Sequence, residues 1–156
     1  MEKRWIALIL VLIALAGTAH AETTEAWILC QPDSMVNVRS SPRKTAIVEG
    51  WLFAGDMIEV DRWTKDWVHI VNASCEAGEG WVASGYVTEY FAQVMDGEPW
   101  RTNHRQVNTR YCIGGKRRNV LTKGTELEVY VMAQDWSVTS KGFIRTEYLE
   151  EVIDNE

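Results

Sequence analysis

The chain has 156 residues, with 16 basic and 22 acidic side chains and a formal charge of −6. That balance excludes a polyanionic partner held through neutralised phosphates, so nucleic acid is not expected as a ligand. It gives no electrostatic help toward anionic lipid headgroups either.

The first segment reads "MEKRWIALILVLIALAGTAHA". Lys3 and Arg4 precede an unbroken apolar run, and Ala19-His20-Ala21 supplies a small-x-small cleavage site, the layout of a secretory signal peptide over residues 1–21. The apolar run, residues 5–16, is shorter than the roughly 18 to 20 residues that span a bilayer. No stable membrane anchor is expected after cleavage, and the protein is expected to be secreted or extracytoplasmic, in the cell envelope. Cleavage removes Glu2, Lys3 and Arg4, leaving 14 basic and 21 acidic residues and a charge of 14 − 21 = −7.

Beyond residue 21 the sequence repeats itself. "VNVRSSP" at 36–42 returns as "VNTRYC" at 107–112, and "FAGDMIEV" at 53–60 as "TKGTELEV" at 122–129. "DWVHI" at 66–70 is answered by "DWSVT" at 135–139, and "GWVASGYV" at 80–87 by "GFIRTEYL" at 142–149. The offset falls from 71 to 69 and then to 62, as expected where turns lose residues. Within each copy, "MIEV", "ELEV", "WVHIV" and "WSVT" alternate apolar with polar, the period of a strand with one wet face. Gly55, Gly80, Gly124 and Gly142 punctuate between them. No amphipathic helical pattern follows residue 21, so the predicted class is all-β, built of small units with closely spaced short strands. The stretch between the copies, residues 92–105, carries Val94, Met95 and Trp100. It is expected to be an ordered connector packed between the units. The basic run "GKRRN" at 115–119 reads as a solvated turn.

The combination of V-N-V-R-S-S-P, the glycine of "FAGD", D-W-V and G-W-V-A-S-G-Y-V over residues 35–87 resembles the bacterial SH3 domain. The second copy resembles a divergent version, with Thr109 for the valine, Tyr111-Cys112-Ile113 for the proline turn and Phe143 for the tryptophan. The resemblance implies two small SH3-like barrels in tandem after the signal peptide. They would be an SH3b-like domain over 26–91, the connector over 92–105, and a divergent SH3b-like domain over 106–152. It also implies a non-catalytic module that recognises peptidoglycan or another cell-envelope peptide or glycan through an aromatic groove. The alternative is an extracytoplasmic module that docks a partner protein. Asn37, Arg39, Asn108 and Arg110 are expected to fix neighbouring turns by hydrogen bonds. Trp67, Trp81, Tyr86, Trp136, Phe143 and Tyr148 recur and read first as framework.

Three other aromatics are the candidates for ligand binding. With Leu52 facing inward, Trp51 and Phe53 face outward, and Trp63 sits in the polar hairpin "DRWTKDW" where a core does not require it. The competing reading is that they pack on the connector or the second unit. Catalysis is not expected, because His69 and His104 lie in a strand and in the connector, and nothing prepares a thiolate. No C-x-x-C or H-x-x-x-H spacing offers a metal site, and no cofactor is implied. Cys30 and Cys75 both fall in the first copy and could form a disulfide closing a loop of about 45 residues. Two free buried thiols are the alternative, and Cys112 is the odd cysteine.

Overall fold

The structure is a computed structural model that describes residues 22–73 and 77–153. The signal peptide expected over 1–21 and Cys75 lie outside the described residues. Fourteen strands form two seven-stranded sheets, and no helix longer than a single 3₁₀ turn occurs among the described residues. The first sheet contains β1 (Thr24–Ile28), β2 (Val36–Arg39), β3 (Val48–Leu52), β4 (Met57–Trp63), β5 (Trp67–Ala73), β6 (Gly80–Ala83) and β7 (Val87–Thr88). The second contains β8 (Gln93–Thr102), β9 (Gln106–Arg110), β10 (Arg117–Thr122), β11 (Glu126–Met132), β12 (Trp136–Thr139), β13 (Gly142–Arg145) and β14 (Leu149–Glu151). The strand orders are β3-β2-β6-β5-β4-β1-β7 and β10-β9-β13-β12-β11-β8-β14. Each number in the second order is the first plus seven, so the repeat seen in sequence is a repeat of topology.

That correspondence changes one expectation. Most of the stretch read as a connector is β8, which pairs with β11 and β14 as β1 pairs with β4 and β7. The register matches Ile28 with Thr102: one pairs with Val87, the other with Leu149. Ile28 is buried by hydrophobicity, whereas Thr102 is equally buried but donates its hydroxyl to Thr122 O at 2.6 Å. Two chemical solutions to one position leave no shared letters, so the repeat was invisible there. The basic run differs from expectation too. Its Arg117 and Arg118 begin the edge strand β10, with both side chains exposed.

The cores follow strand alternation. Inside the first sheet lie Ile28, Val36, Val38, Leu52, Ile58, Val60, Val68, Ile70, Val82 and Val87, so residues from both edge strands meet in one cluster. Inside the second lie Val107, Leu127, Val129, Ile144 and Leu149. A third cluster joins the two sheets: Leu29 and Ala92 pack with Val131, Ala133, Trp136, Val138 and Phe143, flanked by Trp27, Ala54 and Tyr86. This accounts for β12, in which all four residues are buried. Ser137 pairs with Ile144 and so faces the second core, while Trp136 and Val138 face the first sheet.

Close approach explains the glycines at 80 and 55, where strands and sheets meet. At Gly80, φ is +150° and a Cβ would lie 2.6 Å from Val38 Cγ1 and 3.0 Å from Arg39 O, where β6 meets β2. At Gly55, φ is +83° and a Cβ would lie 2.4 Å from Val94 Cγ2, so the turn before β4 presses directly on the second sheet.

Candidate functional site

The two arginines of the V-N-x-R strands fix turns, as expected of them; their asparagines make no such bond among the described residues. Arg39 Nη1 donates to Ala46 O at 2.8 Å and Arg110 Nη1 to Gly115 O at 2.6 Å, each tying down the turn that follows its strand. They also border grooves. In the first sheet, Asn37 and Arg39 on β2, Trp67 on β5, Ala83 on β6 and Tyr86 in the 3₁₀ turn line a cleft of about 960 Å³. That is at the upper end of the roughly 300–1,000 Å³ typical of small-ligand sites. Residues 112–115 of the second sheet form its opposite wall.

Hydrogen bonds hold the parts of the cleft together. Ser84 N donates to Asp66 O at 3.1 Å and Ser84 Oγ to Lys65 O at 2.9 Å, fixing the 3₁₀ turn to the β4–β5 hairpin. Ile113 N donates to Gly85 O at 2.9 Å, fixing the second sheet's turn to the same element. Cys112 packs closely there: a Cβ at Gly85 would stand 2.8 Å from its Sγ. The Cys112 thiol is free and half-buried, and no imidazole is among the cleft-lining residues. Burial pushes the Tyr86 hydroxyl above its ordinary pKa, with Cys112 and Cys30 adding to the effect.

The second sheet carries the equivalent groove, lined by Asn108, Arg110, Trp136, Arg145, Tyr148 and His104, but only about 420 Å³ in volume. Its ring faces are covered by the protein itself. The Arg145 guanidinium lies 5.0 Å from the centre of Trp136, and the His104 ring lies tilted against Tyr148 with centroids 4.8 Å apart. Ala83 stands where Arg145 does, so no side chain at that position covers Trp67.

The aromatics singled out in the sequence lie elsewhere. Trp51, Phe53 and Trp63 are exposed at 51%, 53% and 39%, and Leu52 between the first two is fully buried. None of the three lines the main cleft. Trp51 sits opposite Asn37 on the edge strand β3, at the rim. Phe53 lines a separate groove with Val94, Met95 and Tyr130 of the second sheet. Trp63 stands opposite Val68 on β4, with three strands between it and β3 in the sheet order. The structure therefore does not gather the three into one groove. Trp67 and Tyr86 recur as Trp136 and Tyr148, the mark of framework residues in the sequence. The signal that separates them is the letter after "GWV" and "GFI": alanine in one copy, arginine in the other.

Cys30 is buried, and its thiol lies 3.6 Å from Ser34 O. Burial, and after it the carboxylate of Asp56, pushes its pKa up to about 11. His69 is held by Asp61, with Nδ1 2.7 Å from Oδ1, and lies tilted against Trp81 with ring centroids 4.7 Å apart. No group of three or more metal-ligating side chains comes together among the described residues.

No family model matches the sequence, and no curated protein does. Among solved structures, the fold is similar to NlpC1 from Trichomonas vaginalis, with a TM-score of 0.40 and 10% identity over 88% of this chain and 49% of that one. NlpC2 from the same organism gives a TM-score of 0.38 and 8% identity over 88% of this chain and 51% of that one. The chain thus spans about half the length of these structural neighbours.

Proposed function

We propose that the protein is a secreted, non-catalytic binding module of two bacterial-SH3-like barrels, which recognises peptidoglycan or another cell-envelope peptide or glycan. The barrel reading is supported by the first core, where Leu52 from one edge strand and Val87 from the other join a single cluster, as a sheet curled on itself requires. The observation that carries the binding role is the cleft in which Trp67 and Tyr86 meet the second sheet's 112–115 turn. Such rings contact an extended chain with little loss of side-chain freedom.

The test is co-sedimentation of the purified protein with purified, insoluble peptidoglycan, beside the variant Ala83→Arg. That variant gives the first groove the side chain that covers the ring in the second. The expected result is that the parent pellets and the folded variant remains in the supernatant. A parent that stays in the supernatant overturns the wall-binding role, and equal pelleting of both moves the site away from the cleft.

A further inference from the structure

The chain is acidic as a whole, yet its main cleft is not. Of the four charged side chains lining it, Arg39, Lys44 and Lys65 are cationic and Asp66 alone is anionic. Arg39 is committed to the Ala46 carbonyl. Lys44, in the turn between β2 and β3, and Lys65, in the β4–β5 hairpin, are both exposed, and neither pairs with a carboxylate among the described residues. An excess of one sign in a cleft walled by low-dielectric protein raises the local concentration of ligands of the other sign. Lysine ammonium groups act there as mobile point charges that suit carboxylates without demanding one geometry.

The two grooves differ in how their rings are covered. In the second, Arg145 and His104 cover the two rings, whereas Trp67 faces an alanine. The wall is also preformed. The hairpin bearing Lys65 is bonded to the 3₁₀ turn, and that turn to Ile113 of the second sheet, so little order remains to be imposed on binding.

On these grounds, and resting on the binding role proposed above, we infer that the cleft takes an extended acidic peptide. Its carboxylate meets Lys44 and Lys65, and its backbone and small side chains lie along Trp67 and Tyr86. Both sheets are needed, because the 112–115 turn supplies one wall.

The experiment compares two N-terminally labelled peptides by fluorescence anisotropy against the whole protein: Gly-Ala-Gly-Ala-Glu with a free terminus, and Gly-Ala-Gly-Ala-Gln with an amidated one. The acidic peptide is expected to bind about tenfold tighter at low salt, an advantage that screening removes at high salt. The double variant Lys44→Glu, Lys65→Glu changes exposed side chains only and should abolish the preference, with an unchanged circular dichroism spectrum. Ala83→Arg should weaken both peptides. Equal affinity for the two peptides, no binding of either, or a preference that survives the double charge reversal overturns the inference. Peptidoglycan retention that persists in the double variant overturns it while leaving the wall-binding role intact. A lysine-dependent acidic preference without peptidoglycan retention supports it and removes the wall as the ligand's source.

Discussion

The two sheets present the same cross-strand row in opposite ways. In the first, Arg62, His69 and Trp81 lie opposite one another across β4, β5 and β6. Arg62 lies 5.9 Å from the centre of the Trp81 ring, and His69 is held by Asp61. In the second, the row is Val131, Val138 and Phe143, all buried against the first sheet. One topology thus serves once as a solvent face and once as an interface. The choice is written in three residues, because a hydrophobic row removed from water stabilises the contact while charges there would cost desolvation.

The sharpest way to break this comparison is to truncate the ring at the same position in each copy. Phe143→Ala should cost about 3–4 kcal/mol, the range for emptying a buried phenylalanine site. Trp81→Ala, losing a partly buried ring and its contacts with His69 and Arg62, should cost less, about 1–2 kcal/mol. Urea unfolding of both variants checks this, and equal costs would mean that the row is not the interface.

A second difference concerns the residue after Leu29 and its counterpart Asn103. The first copy buries a thiol, Cys30, where the second exposes His104. The folded thiol keeps its proton to about pH 11, whereas an unfolded one ionises near the ordinary value of 9.0. Below that ordinary value the contribution is fully present. Between the two values the unfolded chain releases a proton that the folded chain holds, so stability falls by on the order of 2 kcal/mol as pH rises. Stability of the parent and of Cys30→Ala across this window should show a steeper decline in the parent. Parallel declines would remove Cys30 as the cause.

The smallest effect tests the two grooves. Arg145→Ala should lose about 0.5–1 kcal/mol of cation–π and packing energy and uncover Trp136. The converse change, Ala83→Arg, should leave stability unchanged or raise it by a similar amount while filling the first cleft. Denaturation midpoints for the pair measure both signs. A loss of stability in Ala83→Arg would mean that the grooves are not equivalent around the ring.

Much of this is legible in the sequence. The alternating strands, the all-β class and the pairing of the copies were readable because one buried face imposes period two, and because repeats keep their core letters. Leu52 inward with Trp51 and Phe53 outward followed from the same period. The strand β8 was not legible: Ile28 and Thr102 fill one buried position by unrelated chemistry, and Leu29 and Asn103 follow them with no resemblance. Which groove each of the three candidate aromatics borders was not legible for a different reason. Exposure can be read from alternation along one strand, but a shared groove depends on which strands are neighbours.

The sequence by itself determined the class, the repeat and the residues that face each core, because these are properties of local alternation and turn chemistry. Tertiary structure alone decided where the sheets meet and that the 112–115 turn walls the first groove. Those depend on pairs far apart in the chain, Gly55 against Val94 and Ile113 against Gly85, whose proximity no local pattern encodes.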